Sequence, residues 1–226
     1  MEIPFALKTG MLLRHSAFYA QIFFLTGGTQ TNATTIDSML YQVCRHYEIP
    51  LYIDGARLGY GLMAEDTDVT LPYLARHCDV FYIGGTKIGA LCGEAVVFTN
   101  RKAHKHFFSI QKQHGAVIAK GALIGLQFEA LFTDNLYFDL SRHAIKMAMR
   151  LKQMFIRKGF KFYVDSPTNQ QFVIIANEQV EKMSRKVQFT HFGQADKHHT
   201  ICRFVTSWAT TEAELDELES VLFSDK

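Results

Sequence analysis

The stretch Asp79-Val80-Phe81-Tyr82-Ile83-Gly84-Gly85-Thr86-Lys87 decides the fold. An unbroken apolar run stops at a glycine pair, and a lysine follows at once. Such a run, too short for a helix and without polar alternation, predicts a strand buried on both faces of a parallel sheet. Lys87 is set among glycines behind that run, a place where a solvated surface lysine is not expected.

Working outward, the same grammar recurs. Leu51-Tyr52-Ile53-Asp54 is a second buried strand ending at Gly55, and Glu94 to Phe98 is a third. Upstream, Gln21 to Leu25 reads as a strand opening into Thr26-Gly27-Gly28-Thr29. Behind that loop, Ala33, Ile36, Met39, Leu40, Val43, Cys44 and Tyr47 recur at helical spacing and predict one amphipathic helix from about Asn32 to Tyr47, stopped by Pro50. Short apolar strands alternating with helices define a mainly parallel α/β sheet covered on both faces.

From His104 to Lys158 the pattern is mostly helical, with weak points at Gly115, Gly121 and Thr133-Asp134-Asn135. Met147, Met149, Leu151 and Met154 read as helix packing. After Gly159 the texture changes. Phe160 to Val164, Gln171 to Ile175, Val187 to Phe192 and His199 to Ser207 read as strands, with a helix near Glu178 to Lys186. Thr211-Glu212-Ala213-Glu214 is a capping box that opens a final helix to about Phe223. The expected organisation is a cofactor-binding α/β domain over 1–158 and a small C-terminal α+β domain over 159–226.

Composition narrows the class. The 226 residues are 48% hydrophobic and 20% charged, which favours a packed core over disorder. The formal net charge is +2 with the signs interleaved, so nucleic acid is not an expected partner. No apolar stretch is long enough to cross a bilayer, and the start carries no secretory pattern, so no membrane association is expected. Cys44, Cys78, Cys92 and Cys202 form no CxxC pair, which suits reduced thiols in a cytoplasmic protein better than a disulfide framework or a zinc site. The His198-His199 pair lies at an expected turn without ligand spacing, and no metal is expected.

Three strand ends carry chemistry: Gly27-Gly28-Thr29, Asp54, and Thr86-Lys87. Ligands of parallel α/β sheets sit beyond the carboxyl ends of strands. A helix N-terminus after the first glycine pair offers free N–H groups to a phosphate, although such a pair is more often only a tight turn. The loop matches neither a P-loop nor GxGxxG, which disfavours a nucleotide. A lysine at one strand end and a carboxylate at another suggest pyridoxal 5'-phosphate, the amine making a Schiff base and the carboxylate keeping the pyridine nitrogen protonated. Against this, an Asp before Gly is usually a turn former.

Asp54-Gly55-Ala56-Arg57-Leu58, Gly84-Gly85-Thr86-Lys87 with Gly89-Ala90-Leu91, and Leu25-Thr26-Gly27-Gly28-Thr29-Gln30-Thr31-Asn32 together resemble the signatures of the threonine aldolase/β-eliminating lyase family. The resemblance runs from about Ala20 to the C-terminus. It implies the aminotransferase-like fold (fold type I), with Lys87 carrying pyridoxal 5'-phosphate, Asp54 on the pyridinium nitrogen, and Gly27, Gly28 and Thr29 around the phosphate. Arg57 resembles the family arginine that meets the substrate carboxylate, and Arg203, in Ile201-Cys202-Arg203-Phe204-Val205-Thr206, resembles a second; the alternative for Arg203 is a surface arginine on an edge strand. The implied activity is cleavage of the Cα–Cβ bond of a β-hydroxy-α-amino acid to glycine and an aldehyde. The alternatives are β-elimination of the tryptophanase or tyrosine phenol-lyase kind, or a catalytically weak remnant serving as a binding or structural subunit. A small amino-acid substrate and a homodimer or homotetramer are also implied.

The chain departs from the family in one large respect. The helix after the glycine loop runs straight into the one before Asp54, so the strands and helices that lie between them in the family are missing, along with the histidine that stacks on the cofactor ring. The surviving sheet is expected in the order Leu51–Asp54, Asp79–Ile83, Glu94–Phe98, Gln21–Leu25. That order leaves the Asp54 strand as an edge, reached by a helix spanning about 24 Å. Ile88 is a second departure, standing where a polar residue or glycine is usual.

Overall fold

The structure, a computed structural model, describes residues 18–20, 33–65, 67–99, 103 and 105–223. Four strands form the first sheet, in the order β1 (Phe18–Ala20), β2 (Leu51–Ile53), β3 (Val80–Gly84) and β4 (Glu94–Phe98). The first three are parallel, and β4 runs antiparallel to β3. Helix α1 (Ala33–His46) precedes β2, and Ile49 N–H closes on the Cys44 carbonyl at 2.9 Å before Pro50. Asp79 fixes the start of β2, accepting Leu51 N–H at 2.9 Å and pairing with Arg45 at 3.4 Å.

Three strands, β2, β3 and β4, stand in the expected order, but the flank of β2 is not the open edge expected. Gln21–Leu25, and with it Gly27, Gly28 and Thr29, lies outside the described residues. The strand beside β2 is Phe18–Ala20, and it pairs with the flank expected to be an open edge. The physical reason is that a row of unpaired backbone groups along a buried strand is costly, and a parallel neighbour satisfies it.

Between β2 and β3 lie α2 (Leu58–Leu62) and α3 (Leu71–Arg76), the latter capped by the Thr70 hydroxyl on Tyr73 N–H at 3.3 Å. After β4 come α4 (Phe107–Gln113), α5 (Gly121–Phe132), a 3-10 turn (Thr133–Asn135) and α6 (Leu136–Arg157). The breaks fall at the weak points of the sequence: Gly115 has φ +69°, Asp134 +50° and Asn135 +62°. Such left-handed residues end helices.

The second sheet is fully antiparallel, in the order β5 (Lys161–Val164), β6 (Gln170–Ala176), β8 (His199–Val205), β7 (Thr190–Gln194). Helix α7 (Asn177–Ser184) follows β6, and α8 (Glu212–Phe223) closes the described chain. The capping box is formed: Thr211 N–H donates to Glu214 at 2.7 Å, and Glu214 N–H to the Thr211 hydroxyl at 3.2 Å.

Helix α6 joins the two sheets. Tyr137, Ala144 and Ile145 complete the core under the first sheet, with Leu51, Ile53, Phe81 and Ile83. Met147, Leu151, Met154 and Phe155 belong to the core of the second, with Val173, Cys202 and Phe204. One helix thus fixes both sheets, and the Thr206 hydroxyl, donating to the Ala144 carbonyl at 2.7 Å, locks the end of β8 onto it.

Candidate active site

Asp54 and Lys87 follow the carboxyl ends of two adjacent parallel strands, β2 and β3. Their loops are pressed backbone to backbone. Gly84 N–H donates to the Gly55 carbonyl at 2.9 Å. A Cβ on Gly55 would collide with the Tyr82 carbonyl, its oxygen first and its carbon at 3.0 Å. One on Gly84 would meet the Ala56 carbonyl carbon at 2.7 Å and the Gly55 oxygen at 2.8 Å. The glycines of both motifs are therefore required by close approach of one loop to the other, which brings the acid and the amine to one end of the sheet.

The lysine turn is held from three sides. Gly85 carbonyl accepts Ile88 N–H at 2.9 Å and Ala90 N–H at 3.1 Å, placing Lys87 inside a closed turn. Glu94, at the start of β4, accepts Gly85 N–H at 2.7 Å on one oxygen and the Thr86 hydroxyl at 3.1 Å on the other. From beneath, the Tyr60 hydroxyl donates to the Lys87 carbonyl and the fully buried Tyr137 hydroxyl to the Gly84 carbonyl at 3.2 Å. Tyr137 in turn accepts Gly59 N–H at 3.0 Å. Ile88 is fully buried in the first core, its Cδ1 lying where a Cβ on Gly59 would come within 2.6 Å. Ile88 is thus a packing residue that anchors the turn.

Asp54 is half-buried, and its Oδ1 accepts Ala56 N–H at 3.0 Å as well as the Tyr82 hydroxyl. Burial first, and then the bond to Asp54, raise the Tyr82 pKa, so the phenol keeps its proton.

Arg57 lies in the loop after β2, at the start of α2, and Arg203 lies on β8 of the second sheet. Burial first, and the Arg203 charge second, lower the Arg57 pKa from its ordinary value, with Asp54 among the groups that oppose the shift. Arg203 does not sit on an edge strand, since β8 has β6 on one side and β7 on the other. Its guanidinium makes long contacts to Gln170 at 3.3 Å and Thr190 at 3.4 Å, while its buried Nε has no hydrogen-bond partner among the described residues. An unpartnered buried donor is rare, and it marks a place for an acceptor.

Sequence reasoning did not find Tyr60, Tyr82, Glu94 or Tyr137. Tyr82 lies in the quoted strand, but only its place beside Asp54 on the neighbouring strand makes it a site residue. His199 pairs with Asp196 at 2.9 Å in the turn before β8. Among the described residues no cluster of His, Cys, Asp and Glu could hold a metal ion, and no helix is long and apolar enough to cross a membrane. The four cysteines are free; Cys44, Cys78 and Cys202 are buried and Cys92 is exposed.

The parallel half-sheet with its helices has the fold of type I pyridoxal-phosphate-dependent enzymes, as comparison with solved structures shows. The threonine aldolase of Leishmania major superposes with a TM-score of 0.81 at 33% identity, over 92% of this chain and 60% of that one. The aspartate aminotransferase of Thermus thermophilus shares the fold alone, with a TM-score of 0.62 at 15% identity. No family model matches the sequence. The low specificity L-threonine aldolase of Pseudomonas sp. (strain NCIMB 10558) is 27% identical over 202 residues, which are 84% of this chain and 57% of that protein. The Pseudomonas aeruginosa protein of the same name is 24% identical over 178 residues, 77% of this chain and 50% of that protein. The chain is related to the threonine aldolases, and it spans between half and three-fifths of the length of these curated relatives.

Proposed function

We propose that the chain is a pyridoxal 5'-phosphate-dependent carbon–carbon lyase that cleaves β-hydroxy-α-amino acids to glycine and an aldehyde. The observation that carries this reading is that Lys87 and Asp54 follow adjacent parallel strand ends on loops bonded to one another, with Arg57 three residues beyond Asp54. The residues present fit the cofactor, since an amine and a carboxylate sit on loops that touch. When bound, pyridoxal phosphate supplies the electron sink for the bond that breaks.

The residues of the chain then have distinct tasks. Lys87 attaches the cofactor through its Nζ. Asp54 holds the proton of the ring nitrogen. Gly27, Gly28 and Thr29 receive the phosphate. Arg57 and Arg203 bind the substrate carboxylate through paired N–H donors and so fix which bond at Cα stands perpendicular to the ring. The chain divides at Lys158–Gly159, where α6 ends on a left-handed glycine (φ +78°), into a cofactor-binding unit (1–158) and a small C-terminal unit (159–226). Leu91, Phe108, Leu123 and Leu126 are exposed around α4 and α5 and support assembly into a homodimer or homotetramer.

The test is direct. Pyridoxal phosphate added to the protein is expected to give a visible absorbance band that borohydride bleaches, and threonine is expected to yield glycine and acetaldehyde; Lys87→Ala abolishes both. Pyruvate and ammonia in place of glycine would replace aldol cleavage with β-elimination. No band with the unaltered protein would sink the enzymatic reading.

A further inference from the structure

Three buried or half-buried phenols surround the site, and two of them grip only backbone: Tyr60 the Lys87 carbonyl, Tyr137 the Gly84 carbonyl. Tyr82 differs. Its hydroxyl donates to the side chain of Asp54, and to the same oxygen that takes Ala56 N–H. The sheet dictates this contact. Ile53 pairs with Phe81, so Asp54 and Tyr82 are the next pair along, on the face shared by Tyr52, whose ring centroid lies 6.2 Å from that of Tyr82.

We propose that Tyr82 is a positioning residue that acts through Asp54 on the ring nitrogen of the cofactor, an inference that rests on the reading given above. A donor fixed on one carboxylate oxygen does two things. It sets the plane of the carboxylate, and it makes the group a weaker base, so a proton shared with a pyridine nitrogen stays on the nitrogen. The backbone N–H of Ala56 holds the carboxylate from its own loop, and the phenol adds an anchor from the neighbouring strand. Since Tyr82 is itself a neutral donor, it adds no charge that would compete with the pyridinium.

The experiment compares two ligands on the full chain: pyridoxal 5'-phosphate, and its 1-deaza analogue, in which carbon replaces the ring nitrogen. The unaltered protein is expected to prefer the former. Tyr82→Phe keeps the ring against Tyr52 and removes only the hydroxyl. It should weaken pyridoxal phosphate roughly tenfold, as expected for losing a hydrogen bond to a charged group, and change the affinity for the analogue by less than about twofold. In an Asp54→Asn background Tyr82→Phe should add nothing. Equal weakening of both ligands, or no weakening of either, overturns the proposal, because a purely structural phenol would not sense the ring nitrogen. If the unaltered protein binds both ligands equally, the fault lies one step earlier, in the assignment of Asp54, and the role of Tyr82 falls with it.

Discussion

Replacing Gly84 by alanine tests whether the acid and the lysine are held together by loop contact. The new Cβ would stand 2.7 Å from the Ala56 carbonyl carbon and 2.8 Å from the Gly55 oxygen, with the Ala56 oxygen nearer still. Ordinary contact begins at 3.4 Å, so clearing the carbon at 2.7 Å alone takes about 0.7 Å of separation, and the nearer Ala56 oxygen demands more. All three obstructing atoms are backbone, and no flexible side chain can yield. Overpacking of this kind costs about 3 kcal/mol, a large share of a typical domain's net stability. The shift also opens the gap between Asp54 and Lys87, and displacements of about 1 Å can cost roughly a hundredfold in catalysis. Urea unfolding and pyridoxal phosphate titration read the two effects separately. The control is Gly125→Ala on the exposed side of α5, where no atom lies within 4 Å and helix propensity favours alanine by about 1 kcal/mol. If Gly84→Ala unfolds at the same urea concentration as the unaltered protein and binds the cofactor as tightly, the loops are not in contact and the site is misbuilt.

Two further outcomes follow from residues away from that contact. Tyr60 is 2% exposed, and burial pushes its pKa up to about 12, while Trp208 N–H and the Arg57 charge oppose the rise. A phenol with a raised native pKa lends stability that is whole below its unfolded value of 10 and is lost as pH rises towards 12. Alkaline unfolding followed by circular dichroism should therefore set in within that window and move to higher pH in Tyr60→Phe; an unchanged midpoint would refute the assignment. Thr211→Ala removes a formed cap from α8 and should cost about 1 kcal/mol in urea unfolding, with Thr211→Ser restoring most of it.

Strands β2, β3 and β4 were legible because an unbroken apolar run between turn residues has few other solutions. Both halves of the lysine–acid pair were legible for the same reason, since each ends such a run. Helix α2 was not. Its sequence, Leu58-Gly59-Tyr60-Gly61-Leu62, has two glycines in five residues and no local reason to be helical. It forms because Tyr137, 78 residues away, accepts Gly59 N–H and because a bare Gly59 admits Ser141 and Ile88. The bond from Tyr82 to Asp54 spans 28 residues and the one from Tyr137 to Gly84 spans 53, so no local pattern announces either. Strand β7 begins at Thr190, after the expected Val187, because its pairing with β8 starts at Arg203; Phe189, just outside it, is spent on packing against Phe204.

The same long-range bonds draw the two strand-end loops together. Among the described residues, the contacts that hold the Lys87 turn against the Asp54 loop include the Gly84–Gly55 bond, the Glu94 clamp, and the Tyr60 and Tyr137 hydroxyls. The end of β8, the strand of Arg203, is tied to α6 through the Thr206–Ala144 bond, and the residues just after it to Tyr60, whose oxygen takes Trp208 N–H while its proton goes to the Lys87 carbonyl. The lysine turn, the Asp54 loop and the end of β8 therefore form one mechanical unit.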